Sequence, residues 1–280
     1  MKLIGHSGCD LELFQDGNNK YVRKYSKNLN YNNRLLSQIA KQEDYSSKTF
    51  FKPNILKKNY DLDGRLYFDM EFIPGISFRD YIGRIPLNKI EDYANIFLNI
   101  IPPRNDFVDV KPEIENKLND INRNLYYSNP IIGKAFNFLY GLDWDYVSLS
   151  KCHGDLTLEN IIIYNDKIYF IDFLDSFIDS WQIDFAKLFQ DLETYWSYRK
   201  IKIIDENLRI RIYILKSLIL RKIASLENGT NYIRNIYQLL LINLLRIYPY
   251  TSDRETLKWL DCRISQVIKL VENKKWEKYL

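Results

Sequence analysis

Near the start of the chain, short apolar runs alternate with turn residues. Leu11 to Phe14 and Tyr21 to Tyr25 are strand-like, and Asp16-Gly17-Asn18-Asn19 between them is a hairpin signal. From Asn30 to Tyr45 the period changes. Leu35, Leu36, Ile39 and Ala40 fall at helical spacing. Lys52 to Tyr60 and Arg65 to Ile73 read as strands joined by Asp61-Leu62-Asp63-Gly64, and Pro74-Gly75 stops the second. With a short run ahead of Gly5, the order is strand, strand, strand, helix, strand, strand.

Beyond Ser77 the pattern is helical. Ser77 to Tyr81, Asn88 to Ile101, Pro112 to Tyr126 and Pro130 to Tyr140 are expected helices, punctuated by Pro86, Pro102-Pro103 and Pro112. A β interlude runs from His153 to Asp172. Four more helices follow: Ile183 to Tyr198, Glu206 to Leu226, Asn231 to Ile247 and Thr251 to Glu272. Ser252 and Glu255 fit a capping box for the last. The expected boundary lies at Pro74-Gly75, giving an N-terminal lobe over 1–75 and a helical lobe over 76–280.

Composition narrows the chemistry. The chain has 280 residues, 46% apolar and 27% charged, which suits a globular protein with a substantial core. Its two histidines and three cysteines are scattered, without zinc-ligand spacing or a disulfide framework. A reducing, cytoplasmic setting is expected. The first residues lack the apolar stretch of a signal peptide. The net charge of +4 is too small an excess for a nucleic-acid surface, and no apolar run is long enough to span a membrane. The 22 tyrosines are read as composition rather than as a binding surface.

The interlude carries the chemistry. Ile161 to Tyr164 and Ile168 to Ile171 flank Asn165-Asp166, a hairpin turn pair. Folding about that turn sets Asn160 opposite residues 171–172, with Asp155 on the loop leading in. Three oxygen-bearing side chains then meet at the open end of one ribbon. A carboxylate and an amide oxygen are hard ligands suited to Mg²⁺, and a separate carboxylate can accept the proton of an attacking hydroxyl. This is what phosphoryl transfer requires.

His153-Gly154-Asp155-Leu156, then Asn160, then Ile171-Asp172-Phe173, resembles the catalytic segment of the aminoglycoside phosphotransferase and choline kinase superfamily. Protein kinases differ at Gly154 and Leu174. The resemblance implies an α+β, bilobal protein-kinase-like fold: a small antiparallel sheet lobe with one helix, and a large, mainly helical lobe containing a catalytic hairpin. It implies Asp155 as the catalytic base, Asn160 and Asp172 as Mg²⁺ ligands, and ATP as phosphoryl donor. His153 would shape the loop and Asp184 would brace it. Ser7, within Gly5-His6-Ser7-Gly8, would meet phosphate. Glu71 and Ile73 would offer backbone groups to the adenine.

A cation on the third strand should hold the phosphates. Lys24 shares a face with Val22, whereas Arg23 points the other way, so Lys24 is favoured. Its partner on the following helix departs from the family pattern: either Glu43 pairs with it or a Gln substitutes. The acceptor is expected to be a small molecule bearing a hydroxyl, such as a sugar, polyol or amino alcohol, with Asp175, Trp196 and Arg199 as candidate contacts. The stacked Trp and Arg would suit a sugar or an anionic acceptor. They also suit a plain core Trp with a snorkelling Arg. A C-terminal region rich in cations, among them Arg209, Arg211, Lys216, Arg221 and Lys222, weighs against a polycationic antibiotic. The short gap after Asp172 weighs against a protein substrate, and the filled catalytic positions weigh against a non-catalytic binding module.

Overall fold

The computed structural model describes residues 2–3, 9–17, 19–104, 106–121 and 129–274. Its contacts divide the chain into two units. The first comprises Met1–Tyr81, His153–Asp155 and Glu159–Asp175, and the second comprises the remaining residues.

In the first unit, β1 (Lys2–Leu3), β2 (Asp10–Asp16), β3 (Asn19–Tyr25), β5 (Ile55–Tyr60) and β6 (Leu66–Glu71) form an antiparallel sheet. Its strand order is β1-β2-β3-β6-β5. Alternation along β3 buries Val22 and Lys24 and turns Arg23 to the opposite face. Helix α1 (Asn32–Asp44) buries Leu35, Gln38, Ile39 and Gln42. These positions form one stripe at i, i+3, i+4 and i+7. Leu36 and Ala40, expected inside, are exposed. Two glutamines complete the buried face, and both are satisfied there: Gln42 Nε2 donates to the Pro53 carbonyl at 2.9 Å, and Gln38 meets the β3 lysine. Leu35 and Ile39 pack with Cys9, Val22, Leu66, Phe68 and Met70 into one apolar cluster.

The second sheet is assembled from distant segments. Its order is β4 (Phe50–Phe51), β9 (Lys167–Phe170), β8 (Ile161–Tyr164) and β7 (Ile76–Ser77), with β4 parallel to β9 and the other pairs antiparallel. The strand expected over 52–60 begins only at Ile55, and the two-residue β4 ahead of it was not expected. Pro53 separates the two, since proline has no amide to continue a ladder. Phe50 is free to stack on Phe170, their ring centres 4.5 Å apart. Ser77, expected to open a helix, ends β7, and helix α2 is only Phe78–Tyr81. The hairpin thus takes strand partners from both sides of residue 75. By contacts it groups with the N-terminal segment, and the first unit runs to Tyr81. Gly75 allows this junction, because a Cβ there would meet the Ile163 carbonyl.

The second unit is helical. It contains α3 (Ile90–Phe97), α4 (Lys111–Asp120), α5 (Pro130–Tyr140), α6 (Trp181–Leu192), α7 (Glu206–Ala224), α8 (Gly229–Leu245) and α9 (Arg254–Glu272). Part of the helix expected over 112–126 lies outside the described residues. Every residue of α6 is buried, and α6 packs on the largely buried α8. Caps set the ends. Ser180 Oγ accepts from the Gln182 amide, and Asp205 accepts from the Asn207 and Leu208 amides. Asp253, not Ser252, caps α9 through the Glu255 and Thr256 amides. Helix α6 stops at Leu192 rather than Tyr198, because Tyr195 turns the chain at φ 60° and a separate short turn follows at Trp196–Tyr198. No helix among the described residues is long and apolar enough to cross a membrane.

Leu35 is completely buried in the first unit's apolar cluster. Leu35→Ala is expected to cost about 2–5 kcal/mol, read as a lower urea midpoint with an unchanged m-value.

Candidate active site

Gly154 sits at φ 88°, where a side chain is disfavoured, and a Cβ there would strike the Leu174 carbonyl. The Leu174 amide donates to the His153 carbonyl at 3.1 Å, which seals the two segments together. The buried His153 ring joins them a second time. Its Nδ1 accepts from the Asp155 amide at 3.1 Å, so the proton resides on Nε2, which donates to the Ile171 carbonyl at 2.7 Å. Burial pushes the imidazole down to about 4, against the opposing pull of the Asp155 charge. His153 is therefore a neutral spacer between the loop and the hairpin, and both of its nitrogens are committed.

The hairpin turns through Asn165 and Asp166, both at positive φ as a two-residue I′ turn requires. Its ladder extends one step past Ile161 and Phe170, with the Ile171 amide donating to the Asn160 carbonyl at 3.0 Å. Asn160 then reaches across the loop. Its Nδ2 donates to the Asp155 carbonyl at 2.8 Å and to Asp155 Oδ2 at 3.2 Å. Asp172 leaves the ladder at φ 61°, a left-handed conformation that is uncommon for a residue with a side chain. Its Oδ1 accepts from Lys24 Nζ. Lys24 Nζ also donates to Gln38 Oε1 at 3.0 Å. Burial lowers the lysine's pKa and the Asp172 charge raises it, with a net upward direction. Lys24 is thus a buried cation held charged.

Arg23 is occupied elsewhere. It pairs bidentately with Asp69 at 2.6 and 2.9 Å and lies over the rings of Phe14 and Tyr67. Glu43 is on the surface with Lys58, at 2.7 Å. Of the two alternatives for the Lys24 partner, the glutamine holds, and it is Gln38.

The oxygen donors suit a hard cation. Asn160 spends its amide hydrogens on Asp155, while Asn160 Oδ1 and Asp172 Oδ2 accept nothing from the described residues. No group of three or more His, Cys, Asp or Glu among the described residues could hold a metal alone. A two-oxygen set of this kind suits Mg²⁺, which keeps water and ligand oxygens in its shell.

No family model and no curated protein matches the chain by sequence. Solved structures do match. A thermostable mutant of aminoglycoside phosphotransferase APH(4)-Ia, in a ternary complex with ADP and hygromycin B, aligns with a TM-score of 0.63 and 12% identity over 96% of this chain and 92% of that one. A putative fructosamine-3-kinase from Haemophilus somnus 129PT aligns at 0.56 and 15% identity, covering 95% and 90%. Spectinomycin phosphotransferase APH(9)-Ia, in complex with ADP and spectinomycin, aligns at 0.56 and 12% identity, covering 97% and 92%. The chain has the aminoglycoside phosphotransferase fold. A small sheet lobe with one helix and a large helical lobe are the parts of that fold described above.

Within the phosphotransferase fold, the structure brings together Asp155, Asn160, Asp172, Lys24 and His153, all in the first unit. Asp175 lies there too, paired with Arg34 at 3.0 Å. The Glu71 amide is taken by the Asn54 carbonyl at 3.0 Å, whereas the Ile73 amide makes no hydrogen bond among the described residues. Ser7 lies outside the described residues. Asp184, Trp196 and Arg199 belong to the second unit. Asp184 is buried in the first turn of α6. The Arg199 guanidinium stacks on Trp196 at 3.7 Å, and Trp196 packs against Trp259 with ring centres 5.5 Å apart. The sequence reading left the Lys24 partner open between Glu43 and a glutamine, and did not single out Gln38. Its position one helical turn from Leu35 and directly before Ile39 was the available signal, since a polar residue on an apolar stripe needs a buried partner.

Because His153 titrates near 4 when folded and near 6.5 when unfolded, the unfolded state binds more protons between those values. Stability is therefore full above about pH 6.5 and falls as pH drops through this window, by roughly 3 kcal/mol in all. With only two histidines in the chain, proton NMR should show one imidazole unshifted down to pH 5. The urea stability of wild type should fall more steeply from pH 6.5 to 5 than that of His153→Gln.

Proposed function

We propose that this protein is an ATP- and Mg²⁺-dependent small-molecule kinase that transfers the γ-phosphoryl group to a hydroxyl of a sugar, polyol or amino alcohol. The observation that carries this reading is the meeting of Asp155, Asn160, Asp172 and Lys24 at the open end of one hairpin, with two uncommitted oxygens among them. The fold supports it, since neighbours of that fold are phosphotransferases described with ADP.

Asp155 would orient the acceptor hydroxyl and take its proton. Asn160 and Asp172 would hold Mg²⁺ through Asn160 Oδ1 and Asp172 Oδ2. When bound, the metal supplies charge neutralisation at the phosphates. Lys24 would turn from Asp172 toward the α and β phosphates. The neutrality of Gln38 favours this, because Gln38 offers Lys24 a hydrogen bond without a second carboxylate competing for its charge. The Ile73 amide and the Glu71 carbonyl would read the adenine edge, and Ser7 would cap a phosphate. His153 holds the loop as a neutral spacer, and Asp184 would be its second structural support. Trp196 and Arg199 would offer an acceptor a ring face and a cation. Asp175 would be available only by releasing Arg34. Helix α6 begins at Trp181, so residues 173–180 leave little room for the peptide-docking segment of a protein kinase.

A coupled ATP-consumption screen over sugars, sugar alcohols, amino alcohols, nucleotide sugars and aminoglycosides should reveal the acceptor. Asp155→Ala should then lose about 10²–10⁴-fold in kcat with ATP affinity retained. Full phosphorylation of the acceptor by that variant would overturn the assignment. Transfer to protein but to no small hydroxyl compound would replace the small-molecule reading.

A further inference from the structure

Helix α6 is buried on every side, yet it carries a carboxylate that none of the roles above uses. Asp191 is completely buried. Its Oδ2 accepts from the Leu158 amide at 2.7 Å and from Ser197 Oγ at 3.0 Å, and its Oδ1 accepts from the Ser197 amide at 2.6 Å. Leu158 is the first residue of the short turn Leu158–Asn160, so Asp191 holds the amide that opens the turn ending on Asn160. Leu156–Leu158 group by contacts with the helical unit, while the residues on either side group with the first. The hydrogen bond therefore fastens Leu158, between Asp155 and Asn160, to α6, every residue of which is buried.

We propose that Asp191 is a positioning residue for the phosphoryl transfer. By clamping the Leu158 amide, it sets the turn that carries Asn160, and with it the placing of Asn160 against Asp155. The proposal rests on the kinase reading above. A carboxylate is required at this position. Both of its oxygens face N–H donors, and an amide could present oxygen to only one of them, turning its own N–H₂ against the other. Charge-assisted hydrogen bonds to backbone amides are short and strong, and these are 2.6 and 2.7 Å. Ser197 shares the carboxylate and keeps it from rotating away from Leu158.

The test compares wild type, Asp191→Asn, Ser197→Ala and Glu193→Gln with Mg²⁺-ATP, using the acceptor from the screen or water. It measures kcat, the KM for ATP, calorimetric ADP affinity, Tm, and amide exchange over residues 156–160. Asp191→Asn should lose roughly ten- to a hundredfold in kcat, the cost of a displaced reacting geometry, with KM for ATP and ADP affinity nearly unchanged. Its Leu158 amide should exchange faster, and Ser197→Ala should show the same pattern more weakly. Glu193, buried at the end of the same helix and paired with Lys216 at 2.8 Å, is the control. Glu193→Gln should lower Tm without a selective loss of kcat. Wild-type kcat in Asp191→Asn, or an equal kcat loss in Glu193→Gln, would overturn the proposal. So would a Leu158 amide that exchanges freely in the wild type. Should Asp191→Asn not fold, Ser197→Ala and wild-type exchange decide the question. A wild type that neither binds nor turns over nucleotide would sink the kinase reading instead, and amide exchange would still report on the clamp.

Discussion

A buried ammonium has to be paired, and the first unit is arranged around that requirement. Lys24 is almost wholly removed from water. An isolated charge at that depth would cost several kcal/mol or lose its proton. The structure answers with one carboxylate and one amide oxygen, Asp172 from the hairpin and Gln38 from α1. Three separate segments meet at one atom. The burial of Lys24 on β3 and the polar position on the apolar face of α1 both serve this pairing.

The same arrangement keeps reactive groups available. Asp172 leaves the ladder where its ladder hydrogen bonds end, so one carboxylate oxygen meets Lys24 and the other stays open. Asn160 uses its donors on Asp155 and keeps its oxygen. His153, neutral and committed at both nitrogens, holds the loop at hydrogen-bonding distance without adding a charge. A site preorganised in this way meets its ordering cost in folding rather than on binding a ligand. Within the helical unit, Asp191 on the fully buried α6 holds the Leu158 amide.

Much of this was legible in the chain. The Asn165-Asp166 turn and its β-branched flanks place Asn160 opposite Ile171, and the structure has that ladder step. Strand alternation separates Lys24 from Arg23, and the two residues do face opposite ways. These readings succeed because strand period and turn chemistry are local properties. Other features were not legible. Phe50-Phe51 was not read as a strand at all, because its pairing depends on β9 and Phe170, which lie far along the chain. Helix α6 read as longer than it is, because Tyr195 reverses the backbone although its residue type does not demand it.

By itself the sequence determined the succession of a sheet-rich segment and a helical one, the hairpin about Asn165-Asp166, and the residue types that could bind a hard cation and accept a proton. Tertiary structure alone decided the pairings: Gln38 rather than Glu43 for Lys24, Asp69 for Arg23, Arg34 for Asp175, and Asp191 for Leu158. Local pattern says which face a side chain takes. It does not say which of several distant polar groups is brought within 3 Å once the apolar surfaces have packed, and for buried charges that distance settles the partner.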